Sequence, residues 1–263
     1  MDGLGFAVAG LLVGTAVGAT GVGGGSLMTP ILILFYGISP AVAVGTDLLY
    51  ASISKAWGVV LHQRRGTLDW PIVGRLALGS VPASLLTLLG LQAVGASPEL
   101  DRVIKLTLAV AVILTASFSL AQDLLLRHLR APSGFNSFIA RHQVPGTVLS
   151  GALIGAVVTV SSVGAGVIGM MLLMLLYPRQ EPIRLVAVDL AHAVIITGIA
   201  GLGHARLGTV DWQMLAGLLF GALPGIWIGS RIGFRLDARS LKRAISALLV
   251  VVGVMTLGKA LAG

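Results

Sequence analysis

Along this chain of 263 residues, apolar positions come in long unbroken runs, separated by short clusters of proline, glycine and charge. Runs near the roughly 20 residues that cross a hydrocarbon core predict membrane helices, and the lack of period-two alternation argues against barrel strands. Hydropathy and breakers place segments at 3–19, 26–37, 41–61, 71–94 and 102–121, then at 147–160, 166–177, 183–203, 212–234 and 242–261. The fold class implied is an all-α polytopic membrane protein of five plus five helical segments.

The two sets are copies of each other. Shifted by 142 residues, 15 of the 43 positions from Pro40 to Pro82 match those from Pro182 to Pro224 without a gap, where so biased a composition would give roughly four by chance. His62, Arg64, Gly66, Thr67, Asp69 and Trp70 return as His204, Arg206, Gly208, Thr209, Asp211 and Trp212, while Asp47 pairs with Asp189 and Gly24 with Gly166. Solenoid units run about 20 to 50 residues, so this longer period means two membrane halves with a site between them. The division expected is a first repeat over 1–121, a linker over 122–145 and a second repeat over 146–263.

Charge sets the orientation. Only 11% of residues are charged against 56% hydrophobic, so the expected surroundings are lipid. The net charge of +8 lies in the loops, which points to a positive-inside bias and away from nucleic acid. The linker carries Arg127, His128, Arg130, Arg141 and His142 and is assigned to the cytoplasm, which puts residues 95–101 outside and His62–Trp70 inside. If 147–160 and 166–177 enter and return on one side, then Arg179, Arg184, Arg231, Arg235, Arg239, Lys242 and Arg243 also fall inside. A parallel repeat would put the last cluster outside, so an inverted repeat with its N-terminus outside is expected. Met1 to Gly3 carries no basic n-region, so no cleavable signal peptide is expected. Cysteine is absent, which excludes disulfides and thiolate chemistry. No His/Asp/Glu cluster has metal-ligand spacing and no Walker motif occurs, so neither a metal, a cofactor nor ATP-driven pumping is expected.

The candidate chemistry lies in two glycine-rich turns and a few intramembrane charges. The short first segments of each half meet at residues 20–26 and 161–166, around Gly21, Gly23, Gly24, Gly25 and Ser26, and around Ser161, Ser162, Gly164 and Gly166. Small residues there serve close helix packing. They also let the chain break or re-enter at membrane depth, so that the next helix aims its N-terminal amides at an anion. Asp47 and Lys55 in 41–61, and Asp189 and His192 in 183–203, each cost a few kcal/mol in lipid unless solvated or paired. Asp189 and His192 stand at i and i+3, within reach of each other. Asp47 and Lys55 are about 12 Å apart along a helix, too far for a direct pair, so Lys55 needs another partner or snorkels. Arg75, beside a segment start, reads as snorkelling. His62 and His204 read as loop hydrogen bonders, Asp69 and Asp211 as helix caps, and Trp70 and Trp212 as interfacial anchors. Pro82 and Pro224 are expected to kink both copies alike.

Gly21-Val-Gly-Gly-Gly25 followed by Pro30, then Val44-Gly-Thr-Asp-Leu48 and the paired Gly-Thr-(Leu/Val)-Asp-Trp at 66–70 and 208–212, resemble the sulfite exporter TauE/SafE family of membrane permeases over nearly the whole chain. The resemblance implies movement of sulfite, sulfonates or related sulfur-containing or organic anions across the bacterial cytoplasmic membrane. Asp47 stands where the resemblance implies a small hydroxyl residue, and position 55 is lysine. The function expected is therefore secondary transport, with the turn residues, Thr46 and Lys55 binding the anion and Asp47, Asp189 and His192 handling protons. Two other readings stand beside it: a non-transporting assembly subunit, and an intramembrane aspartyl hydrolase. Neither aspartate lies in the Gly-x-Gly-Asp context of the latter. A homo-oligomer is left open.

Overall fold

The computed structural model describes residues 3–20, 25–95, 97–129, 142–233 and 238–262. Among these it forms helices and no strand: α1 (Gly3–Thr20), α2 (Gly25–Phe35), α3 (Pro40–Arg64), α4 (Trp70–Val94), α5 (Pro98–Leu129), α6 (Gln143–Ser161), α7 (Val167–Leu176), α8 (Pro182–Arg206), α9 (Trp212–Gly233) and α10 (Ala238–Ala262). Prolines at the first turns of α3, α4 and α8 fix φ where no amide hydrogen is needed. Asp69 accepts from Ile72 N at 3.3 Å, Asp211 from Met214 N at 2.9 Å and Ser97 from Leu100 N at 3.1 Å, so these three residues cap their helices.

Among the described residues, five helices are long and apolar enough to cross a membrane: Trp70–Val94, Glu99–Leu120, Gln143–Ser161, Pro182–Arg206 and Trp212–Arg231. Large side chains such as Leu78, Leu86, Leu89 and Phe220 point outward, as lipid contact requires. The predicted segments correspond to the helices, although α5, α6 and α10 each start four residues early, at Pro98, Gln143 and Ala238, and α5 also ends late. Helix α5 runs on to Leu129 instead of ending at 121, because the first strong breaker after it is Pro132. Helix α6 starts at Gln143, earlier than 147, where the Gln143 amide donates to the carbonyl of Leu176 at 2.8 Å. The expected linker thus begins and ends as helix, and residues 130–141 lie outside the described residues.

The copies pack by exchange. Helix α1 lies along α9, and α4 along α6, so each half presses its first helix against the fourth of the other. Both pairs run parallel and close. A Cβ on Gly10, Gly14 or Gly18 would strike the backbone of Leu218, Ala222 or Ile226, and one on Gly151 or Gly155 that of Leu76 or Ser80. Glycine is needed here because the backbones touch, the small-residue packing common between membrane helices. Equivalent helices meet antiparallel instead. In α3 and α8, Leu49 faces Gly201, Ser52 faces Gly198 and Gly58 faces Leu190; in α5 and α10, Ser119 accepts from Ser246 at 2.8 Å while Ile113 faces Gly253. Pro82 and Pro224 both lie inside continuous helices, α4 and α9.

Helices α6 and α7 form a hairpin that returns to its starting level. Gly146 lies against Leu176, and the Thr147 hydroxyl meets that of Tyr177 at 2.9 Å. The pairs Leu76 with Gly151, Ser80 with Gly155 and Ser84 with Thr159 keep one register along α4 and α6. Extending it puts Ser161 level with Leu86, about 12 Å short of the end of α4 at Val94. The turn is therefore at membrane depth. Helix α7, at 10 residues, covers only about 15 Å and cannot span.

Candidate functional site

The α6–α7 turn is built from unusual backbone. Ser162 ends α6 in the left-handed region at φ 59°, followed by Gly164 at 118° and Gly166 at 140°. At the latter two a side chain would be strained, which is why glycine occupies them. Ser161 is fully buried, its hydroxyl donating to the carbonyl of Val157 at 2.7 Å and accepting from Val163 N at 3.3 Å. It pins the turn from inside. In the first half, Gly21, Gly23 and Gly24 lie outside the described residues, while Gly25 and Ser26 open α2.

Asp47 of α3 reaches this turn from the other half. Its Oδ2 accepts from the Ser162 hydroxyl at 2.9 Å and from that of Thr29, on α2, at 2.6 Å. Asp47 is fully buried, and its second oxygen, Oδ1, has no hydrogen-bond partner. Two turns further along α3, the Lys55 ammonium donates to the carbonyl of Ala165 at 3.3 Å. The two residues are too far apart to pair along α3, as the spacing predicts, yet both end on one turn of the opposite half. Lys55 lies within electrostatic reach of Asp189 and Asp47.

Asp189 of α8 approaches the same region from the far side. Its Oδ1 is buried without a partner and lies where a Cβ on Gly169, in the first turn of α7, would stand. The structure thus gathers Asp47, Ser162, Lys55 and Asp189 around the α6–α7 turn. An unpartnered buried carboxylate oxygen costs several kcal/mol, so the cluster is an expensive feature that packing alone does not require.

Other candidates lie elsewhere. His192 directs Nε2 to the Ser80 hydroxyl on α4 at 2.9 Å, so the expected Asp189–His192 contact is replaced by one between helices. The Thr46 hydroxyl accepts from the Asp211 amide at 3.0 Å and fastens α3 to the loop before α9. His62 meets Thr67 and His204 meets Thr209, both at 2.8 Å through Nδ1, giving the same loop lock in each copy. His204 adds a bond from Nε2 to the carbonyl of Thr159 at 2.9 Å. Among the described residues no group of three His, Cys, Asp or Glu side chains could hold a metal ion. The residue that sequence reasoning missed is Thr29. Its one signal is a hydroxyl in an otherwise apolar stretch just after the glycine turn.

These features define a multi-pass membrane protein of repeated halves with broken helices and a polar centre. The family model described as sulfite exporter TauE/SafE matches residues 6–256, and the chain belongs to that family of membrane permeases. It is 35% identical over 246 residues to the "Probable membrane transporter protein YjnA" of Bacillus subtilis, covering 93% of this chain and 96% of the relative. It is 24% identical over 247 residues to a "Probable membrane transporter protein" of Xylella fastidiosa, covering 92% and 90%. No solved structure matches the chain.

Proposed function

We propose that the protein is a secondary transporter that carries a small sulfur-containing or organic anion across the bacterial cytoplasmic membrane, with protons, through the site where α3 and α8 meet the α6–α7 turn. The observation that carries this reading is the Lys55 ammonium, held by the Ala165 carbonyl, beside two carboxyl groups each with an unpartnered buried oxygen. A carbonyl neutralises no charge, so an anion gains a full electrostatic partner by taking its place. Its arrival adds negative charge next to Asp47 and Asp189. A proton taken up on either aspartate offsets that charge, which links anion and proton movement.

The two halves are, in this reading, inverted in the membrane, with the N-terminus outside and the 122–145 linker in the cytoplasm. Its support is the antiparallel contact of α3 with α8 and of α5 with α10, since equivalent helices of parallel repeats would point the same way. The test is uptake of labelled sulfite, thiosulfate and a sulfonate into proteoliposomes under an imposed pH gradient. Accumulation that follows the gradient and disappears with Lys55→Met is expected. Absence of uptake for every anion of this class would overturn the reading.

A further inference from the structure

At the membrane face where α4 and α6 begin, a cavity of about 670 Å³ opens between the two helices and the end of α7. Its polar lining comprises Arg75, Arg179, Gln143, Gln180, Tyr177 and Asp69. The only ion pair among the described residues is Arg184 with Glu181, so neither guanidinium in the cavity is ion-paired, and the Asp69 carboxylate in the same lining is spent on capping α4. Tyr177 orients one of them. The Thr147 hydroxyl spends its hydrogen on the Gln143 carbonyl at 2.6 Å, so in the 2.9 Å contact the Tyr177 phenol must donate to Thr147. The phenol oxygen then accepts from Arg75 Nη1 at 3.4 Å. Arg75 makes no other side-chain hydrogen bond among the described residues.

The repeat shows that these cations are not needed to fold this corner. Counting back or forward by 142, Arg75 corresponds to Gly217, Arg179 to Gly37, Tyr177 to Phe35, Gln180 to Ile38 and Thr147 to Gly5. The other copy makes the same helices with none of the five polar groups. We propose that this cavity is a second anion site, in which a sulfur or phosphorus oxyanion is held by Arg75 and Arg179 on the cytoplasmic face before it moves about 15 Å along α7 to Lys55. Planar guanidinium groups bind such oxyanions through paired N–H donors, and the helix N-termini of α4 and α6 add positive potential.

The proposal rests on the transport reading, and its test separates the two. Equilibrium binding of labelled sulfate and sulfite to the purified protein in detergent is measured for wild type, Arg75→Gln/Arg179→Gln and Lys55→Met, alongside flux in proteoliposomes. Wild type should bind at two sites. The double variant should lose one of them, with affinity there falling about tenfold or more, and should raise KM for flux while keeping kcat. Lys55→Met should lose the other site and the flux itself. Flux absent in wild type, with arginine-dependent binding intact, would remove the transport reading but leave the site standing without its loading role. An unchanged isotherm and KM in a correctly folded double variant would overturn the proposal. So would stabilisation by phosphatidylglycerol that depends on the arginines while sulfate has no effect, because the cavity would then hold a lipid headgroup.

Discussion

The Ser52 hydroxyl donates to the Val194 carbonyl at 3.1 Å, and the two residues are each other's counterparts, 142 positions apart. A bond between equivalent positions lies where the two copies cross, in the middle of the α3–α8 contact. The helices are close there: a Cβ on Gly201 would approach Leu49 to 2.6 Å, and one on Gly198 would approach the Ser52 oxygen to 3.1 Å. Gly201→Leu is therefore expected to destabilise by about 1–3 kcal/mol through overpacking. Gly90→Leu, with nothing within 4 Å of the added carbon, should leave the melting midpoint in detergent unchanged. Equal midpoints for both variants would contradict the close crossing.

The inverted arrangement makes a prediction that needs no ligand. Thr67 and Thr209 are equivalent and each follows the end of a long helix, α3 or α8, at its loop. Because the chain has no cysteine, single cysteines at these positions report sidedness cleanly. An impermeant maleimide should label Thr67→Cys from the cytoplasmic side and Thr209→Cys from the opposite side. Labelling of both from one side would mean that the halves are parallel.

Much of this fold was legible because lipid simplifies the code. Continuous apolar runs, prolines at helix starts and the capping aspartates Asp69 and Asp211 fix the helices, and the 142-residue repeat fixes the correspondence of the halves. Which helices touch was not legible, since Gly10 against Leu218 and Gly151 against Leu76 join residues far apart in sequence. The site was readable as a set of costly residue types but not as a constellation. Nothing local says that Asp47 meets Ser162, or that Lys55 ends on a backbone carbonyl 110 positions away. Arg75 read as a snorkelling residue because its neighbours Tyr177 and Arg179 come from the other half.

The hydroxyls on Asp47 give a second stability test. Thr29 and Ser162 both donate to the same oxygen, and loss of a donor to a buried charged group costs about 1–3 kcal/mol. Thr29→Val, which keeps the shape, and Ser162→Ala should each lower the melting midpoint. In combination with Asp47→Asn the penalty of either should shrink, because the carboxylate they serve is gone. Undiminished penalties in that background would show that the hydroxyls act through packing.

Lys55 offers the sharpest separation of folding from function, because its repeat counterpart is Thr197. In α8 the Thr197 hydroxyl donates one turn back to the Ala193 carbonyl at 2.7 Å, fully buried, so this helical position accepts threonine without strain. At position 55 the same local bond would run to the Ala51 carbonyl, which the Ser54 hydroxyl already reaches at 3.3 Å, and removing an intramembrane ammonium relieves a cost of a few kcal/mol. Lys55→Thr is thus expected to insert normally and to melt at or above the wild-type midpoint. Its transport should nonetheless be lost, since the anion has no cation to meet and Asp47 and Asp189 face it alone. Melting and counterflow of labelled sulfite measured on one preparation decide the matter. A stable Lys55→Thr protein with wild-type counterflow would move the anion site away from the α6–α7 turn, whereas a variant that fails to fold would make Lys55 a structural tether to Ala165.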